Sequence, residues 1–159
     1  MMGLNRSWMR QPDPAMHVGL ETVHYYANPE YYARVAKHGG LYAIGAGWPI
    51  GTQLQFGGGT FSRDVFKDGV VTQLNDVGSV FYASLQVAYT LGYRTIYALG
   101  LDLTGPHFDG SPASPHVEKQ NQLFANIPDD MKVYVCGSPE SRAIFPKVPI
   151  EEVYGADVA

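Results

Sequence analysis

Charge is scarce in this sequence and cysteine is nearly absent. Only 16% of the 159 residues are charged, and the formal net charge is −4. No Lys/Arg cluster exceeds two residues, so the electrostatic footprint of a nucleic-acid binder is missing and no nucleic-acid partner is expected. A single cysteine, Cys136, excludes an internal disulfide framework and leaves no thiolate set for zinc. No apolar run approaches the length of a membrane span, and the opening MMGLNRSWMRQ lacks the apolar core of a signal peptide. The expected location is therefore the cytoplasm, with no membrane partner. GxSxG, P-loop and HExxH motifs are also missing. Gly57-Gly58-Gly59 is not followed by Lys-Ser/Thr, so it carries little weight as a phosphate loop. The five histidines, His17, His24, His38, His107 and His116, form no pair at metal-ligand spacing, and neither metal nor cofactor is expected.

What is present suits one folded domain over residues 1–159. Hydrophobic residues make up 45% of the chain, enough to bury a single core at this length. No internal repeat or low-complexity linker interrupts it. Eleven tyrosines are divided between core and rim in this reading.

Strand and helix signals alternate. Met16–Leu20 (MHVGL) reads as a short strand. Asn28-Pro29 opens a helix that Gly39-Gly40 closes, because Asn accepts a hydrogen bond at an N-cap and Pro suits the first helical position. Leu41–Gly45 reads as a buried strand. Residues 46–77 are expected to be a loop with a small antiparallel excursion (TQLQF and VFKDGVVTQL) turning at Asp68-Gly69. Next comes GSVFYASLQVAYTLGYRTIYALGLDLTGPHF, residues 78–108. Val80, Ser84, Val87, Ala88 and Leu91 share a helical stripe, and Gly92 stands in the position just past the helix end. Thr95–Leu99 is then a strand and residues 100–115 a polar loop. Ser114-Pro115 opens a further helix running to about Asn126, and Lys132–Cys136 is a last strand. Gly137-Ser138-Pro139 is expected to restart a short helix through about Phe145. This alternation predicts an α/β fold with a mostly parallel sheet flanked by helices. Ligands bind such sheets beyond the carboxyl ends of the strands, here Gly45, Gly100–Asp102 and Gly137-Ser138.

Gly78-Ser79 precedes a buried helix, where backbone N–H groups and the hydroxyl can face an anion with the helix dipole behind them. Plain capping by Ser79 is the blander reading. Asp102 ends a strand where a ligand can approach closely, although a loop-ordering hydrogen bond would explain it as well. His107 and His116 flank the polar loop and are the candidates for proton transfer; a solvated side chain is the commoner fate of such residues.

The stretch GSVFYASLQVAYTLGYRTIYALGLDL resembles the central motif of bacterial CMP-sialic acid-dependent sialyltransferases and related sialyltransferase-like domains, some of them in small phage-encoded proteins. The likeness continues in order through GLNRSW, YYANPEYY and KVYVCGSPESRAIF. It is specific over residues 78–102 and looser elsewhere. The resemblance implies a single Rossmann-like domain that binds a cytidine nucleotide sugar. In that mapping Asn5, Asn28, Gly78, Ser79, Gly100 and Leu101 touch the nucleotide, and His116 falls near the place of the transferase base, with His107 less well placed. The family's first strand and its phosphate-cradling N-G-P-S-type loop are missing from the expected fold, and the middle of the chain is short. A phosphate cradle contributes charge-assisted hydrogen bonds of ~1.5–3 kcal/mol each, and losing it harms leaving-group stabilisation more than binding.

Two functions follow as expectations. The first is a binder of a nucleotide or nucleotide-derived small molecule without efficient catalysis, for example a phage-type protein that sequesters a nucleotide signal. The alternative is a compact CMP-sugar-dependent glycosyltransferase. A structural remnant without a ligand is the bland third. An unpaired sheet edge also predicts a homo-oligomer.

Overall fold

The computed structural model describes residues 2–4, 14–19, 22–44, 48–57, 61–65, 73–75, 79–104, 116–136 and 139–154. The chain is mixed α/β and divides into two compact units, Met1–Gly92 and Tyr93–Ala159. Among the described residues, no helix is long and apolar enough to cross a membrane.

The first unit holds five strands, β1 (Met2–Leu4), β2 (Met16–Gly19), β3 (Leu41–Ile44), β4 (Thr52–Gly57) and β5 (Gln73–Asn75), and three helices, α1 (Thr22–Ala27), α2 (Pro29–Lys37) and α3 (Val80–Thr90). The strands lie side by side in chain order, and each neighbouring pair is parallel. Because side chains alternate across a strand, the register His17↔Leu41, Val18↔Tyr42 sorts the core into two faces. Val18 and Tyr42 join Leu54, Val65, Ala83 and Val87 beneath α3. On the other face Leu41, Ala43 and Trp48 pack with Tyr31, Tyr32 and Val35 of α2. His17 is fully buried on that second face, where its Nδ1 shares a hydrogen bond of 3.0 Å with the Tyr31 hydroxyl. The rings of Tyr31 and Tyr32 meet the imidazole edge-on.

The expected antiparallel excursion is corrected here. β4 pairs with β5 in parallel, Gln55 opposite Gln73 and Gly57 opposite Asn75. A two-residue turn joins antiparallel strands only, so this pairing requires the chain to cross back before β5 begins. Asp68-Gly69 lies outside the described residues. Both helix-end expectations hold. The Asn28 side-chain oxygen accepts from Tyr31 N at 3.2 Å with Pro29 in the first turn. At the other end Gly40 N donates to Val35 O and Gly39 N to Ala36 O, with Gly39 at φ +71°, a Schellman closure. α3 likewise ends at Thr90, leaving Gly92 just past its cap at φ +92°.

The second unit holds β6 (Thr95–Leu99), α4 (Val117–Phe124), β7 (Lys132–Cys136), β8 (Lys147–Val148) and α5 (Ile150–Tyr154). Its sheet is also parallel, in the order β6-β7-β8. Val133 and Val135 are buried with Val117, Phe124, Ala143 and Phe145, and the rings of Phe124 and Phe145 stack at 5.1 Å. α4 ends two residues before the expected Asn126, and the Ser114-Pro115 start lies outside the described residues.

The short helix expected through Phe145 does not form: residues 139–145 are turns and bends that lead into β8. The reason is where their hydrogen bonds go. Arg142 N donates to Asp102 O at 2.7 Å, and Ser141 Oγ donates to Leu101 O at 2.6 Å. Asn121 of α4 donates to Arg142 O and accepts from Ile144 N. These distant partners satisfy the backbone, so the segment gains nothing from coiling on itself.

Gly39 gives the sharpest stability test of the first unit. Only glycine occupies φ +71° without the Cβ–carbonyl clash, and no neighbour stands within 4 Å of where a Cβ would project. Gly39→Ala is therefore expected to lower stability by about 1–2 kcal/mol through backbone strain alone, read as a lower urea midpoint at unchanged slope.

Candidate functional site

A parallel sheet gathers the carboxyl ends of its strands on one edge, and expected site residues follow strand ends in each unit, Ser79 after β5 and Gly100–Asp102 after β6. Ser79 follows β5 and starts α3; it is 6% exposed, and its hydroxyl oxygen accepts from Tyr82 N at 3.3 Å. Its carbonyl accepts from Ala83 N at 3.1 Å. The cap reading is thus established for the oxygen, while the hydroxyl proton is given to no described residue. The helix start behind it carries N–H groups that lack intrahelical acceptors and a positive dipole end. Asn28 repeats this pattern at α2: its oxygen caps the helix, and its amide N–H groups are not drawn into the cap. The two capped starts belong to helices on opposite faces of one sheet. Asn5 and Gly78 lie outside the described residues.

In the second unit β6 ends in an unusual piece of backbone. Gly100 takes φ +71° and Leu103 takes φ +55°. For leucine that left-handed conformation costs on the order of 1–3 kcal/mol, which its surroundings must hold in place. The holding groups are the hydrogen bonds from Ser141 and Arg142 to the carbonyls of Leu101 and Asp102. The Asp102 side chain therefore does not order its own loop; its main chain does. Carboxylate oxygen Oδ1 is buried and has no hydrogen-bond partner among the described residues. His116 stands exposed at the start of α4, where its carbonyl accepts from Gln120 N and its side chain makes no capping bond. His107 lies outside the described residues.

Sequence reasoning missed Ser141, Asn121 and Leu103. Asn121 is the one with a readable signal, a short amide side chain within a helix, where such residues commonly turn toward backbone groups of neighbouring segments. Nothing local marks Leu103, because its conformation is imposed from outside its own stretch of chain. Among the described residues no group of three or more His, Cys, Asp or Glu side chains is placed to hold a metal.

Two buried acids have shifted proton affinities. Burial raises the Cys136 thiol above its usual value and does the same to the Tyr82 phenol. The Tyr82 hydroxyl, on α3, has no hydrogen-bond partner among the described residues. Comparisons of the chain with protein-family models, curated proteins and solved structures found no match, so function is inferred from the sequence and the geometry alone.

The shifts set an alkaline limit. A raised folded-state value means that the unfolded chain loses its proton first. Stability is thus complete below pH 9 and falls once the Cys136 thiol ionises in the unfolded chain above that value. Tyr82 adds to the loss above pH 10. Each group contributes at most about 1.4 kcal/mol per pH unit until its folded value is passed. Denaturation midpoints between pH 7 and 11 should show this decline, and Cys136→Ala should remove the part that begins at pH 9.

Proposed function

We propose that this chain is a sialyltransferase-like, Rossmann-like protein that binds a nucleotide-derived small molecule without efficient catalysis. The observation that carries the reading is the start of α3. Ser79 caps a helix immediately beyond the carboxyl edge of a parallel sheet, and its hydroxyl proton is not consumed by the cap. Phosphate groups bind at such helix starts because N–H donors and the dipole converge there. The resemblance of residues 78–102 to the sialyltransferase motif supports the same reading and points to a cytidine nucleotide.

Calorimetry against CMP, CMP-sialic acid, ADP-ribose and cyclic nucleotides should find at least one ligand tighter than ~100 μM, near −5.5 kcal/mol. Flat titrations on ligand-free protein would overturn the proposal. Ser79→Ala should cost about 1 kcal/mol of stability through the lost cap. It should weaken the best ligand by a further ~1–3 kcal/mol if the hydroxyl also donates to an anion. Lower stability with an unchanged dissociation constant would leave Ser79 as a cap only.

The alternative is a compact CMP-sugar-dependent glycosyltransferase, and one observation favours it: His116, the residue that the resemblance places near the transferase base, is exposed at the start of α4. A transferase would release CMP from CMP-sialic acid, and His116→Ala would lower that rate ~10²–10⁴-fold. Binding without turnover predicts instead that the nucleotide is recovered intact after long incubation, with His116→Ala changing affinity little.

A further inference from the structure

The carboxylate of Asp102 is the group in the second unit whose chemistry the fold leaves unused. Its carbonyl is bonded by Arg142 N, yet its side chain makes no ion pair with a described residue, the Arg142 guanidinium included. Oδ1 is buried without a hydrogen-bond partner among the described residues. A buried acceptor left unmade is costly, and proteins keep such atoms where something else completes them. Its setting is firm, since Leu101 and Asp102 are both tied by their carbonyls to the 141–142 turn, and Asn121 anchors that turn from α4. The carboxylate also stands just past the carboxyl end of β6, the edge at which parallel α/β sheets take ligands.

We propose that Asp102 is a recognition residue for a vicinal diol, as carried by a ribose or another sugar, which donates its hydroxyl protons to the carboxylate. An ionised carboxylate only accepts hydrogen bonds, so it selects a donor and rejects a phosphate. Its two oxygens match two adjacent hydroxyls, and a ligand lacking them leaves the buried oxygen unpaired, which is the strongest form of discrimination a polar site has. The inference rests on the small-molecule reading above and adds to it the part of the ligand that this end of β6 recognises. It makes no use of Ser79.

The test titrates the full chain with CMP, 2′,3′-dideoxy-CMP, ribose 5-phosphate and its 2,3-dideoxy analogue, for wild type and Asp102→Asn. The expected result is that CMP binds wild type at least tenfold tighter than dideoxy-CMP and that Asp102→Asn abolishes this preference. The melting temperature of ligand-free Asp102→Asn should equal or exceed that of wild type, because the buried Oδ1 makes no hydrogen bond that the substitution would remove. Should CMP and dideoxy-CMP bind alike, the nucleotide reading survives and the role of Asp102 falls. Diol-dependent binding of ribose 5-phosphate without binding of CMP supports Asp102 and removes the cytidine nucleotide. Binding of none of the four overturns this inference. A ligand-free variant melting several degrees below wild type also overturns it, since the carboxylate would then be serving the fold.

Discussion

Every strand pairing among the described residues is parallel, and the rest of the structure depends on that constraint. A parallel neighbour is reached only by carrying the chain back along the sheet, and the returning segments are where helices come to cover sheet faces. In the first unit this shows as two cores on the two faces of one sheet, one under α3 and one under α2. The same constraint puts the carboxyl ends of all strands of a sheet on one edge. Helices that follow strands then start at that edge with unsatisfied N–H groups, and a polar side chain must meet them. Ser79 is that answer at α3, and Asn28 gives the same answer at α2, which follows α1.

In the proposed function, stability and recognition draw on the same atoms. A cap oxygen that accepts from its own helix is fixed in direction, and a fixed hydroxyl or amide presents its remaining protons with little entropy left to lose. The capping role and the proposed ligand role therefore do not compete at Ser79; the cap would prepare the geometry for the ligand. Asp102 is arranged differently. There the main chain carries the structural bonds and the carboxylate is left over, held beside a leucine in left-handed conformation that the 139–144 segment keeps in place.

Buried polar groups elsewhere show what a completed case looks like. Gln86, fully buried on α3, donates to the Tyr82 carbonyl and accepts from Ser62 N, which ties the 61–65 segment to the helix. The His17 Nδ1 and the Tyr31 hydroxyl satisfy each other across β2 and α2. Against that background the Oδ1 atom of Asp102 is a buried carboxylate oxygen with no hydrogen-bond partner among the described residues, and it lies just past a strand's carboxyl end.

Local signals sufficed for every element whose ends are decided by its own residues. Asn28-Pro29, Gly39-Gly40, Ser79 and Gly92 each mark a helix end by chemistry that acts within a few residues, and apolar runs marked β2, β3, β6 and β7. The positions of Gly100 and Asp102 just past the carboxyl end of β6 were legible from the same alternation. Tertiary structure alone decided the parallel pairing of β4 with β5, because Gln55 and Gln73 meet only through the sheet, and no short-range pattern encodes a partner strand. It also decided that residues 139–145 would not coil, because Leu101, Asp102 and Asn121 supply their hydrogen bonds from distant positions. Hydrogen bonds within a turn are written in adjacent residues, whereas those across a fold exist only once the chain has closed on itself.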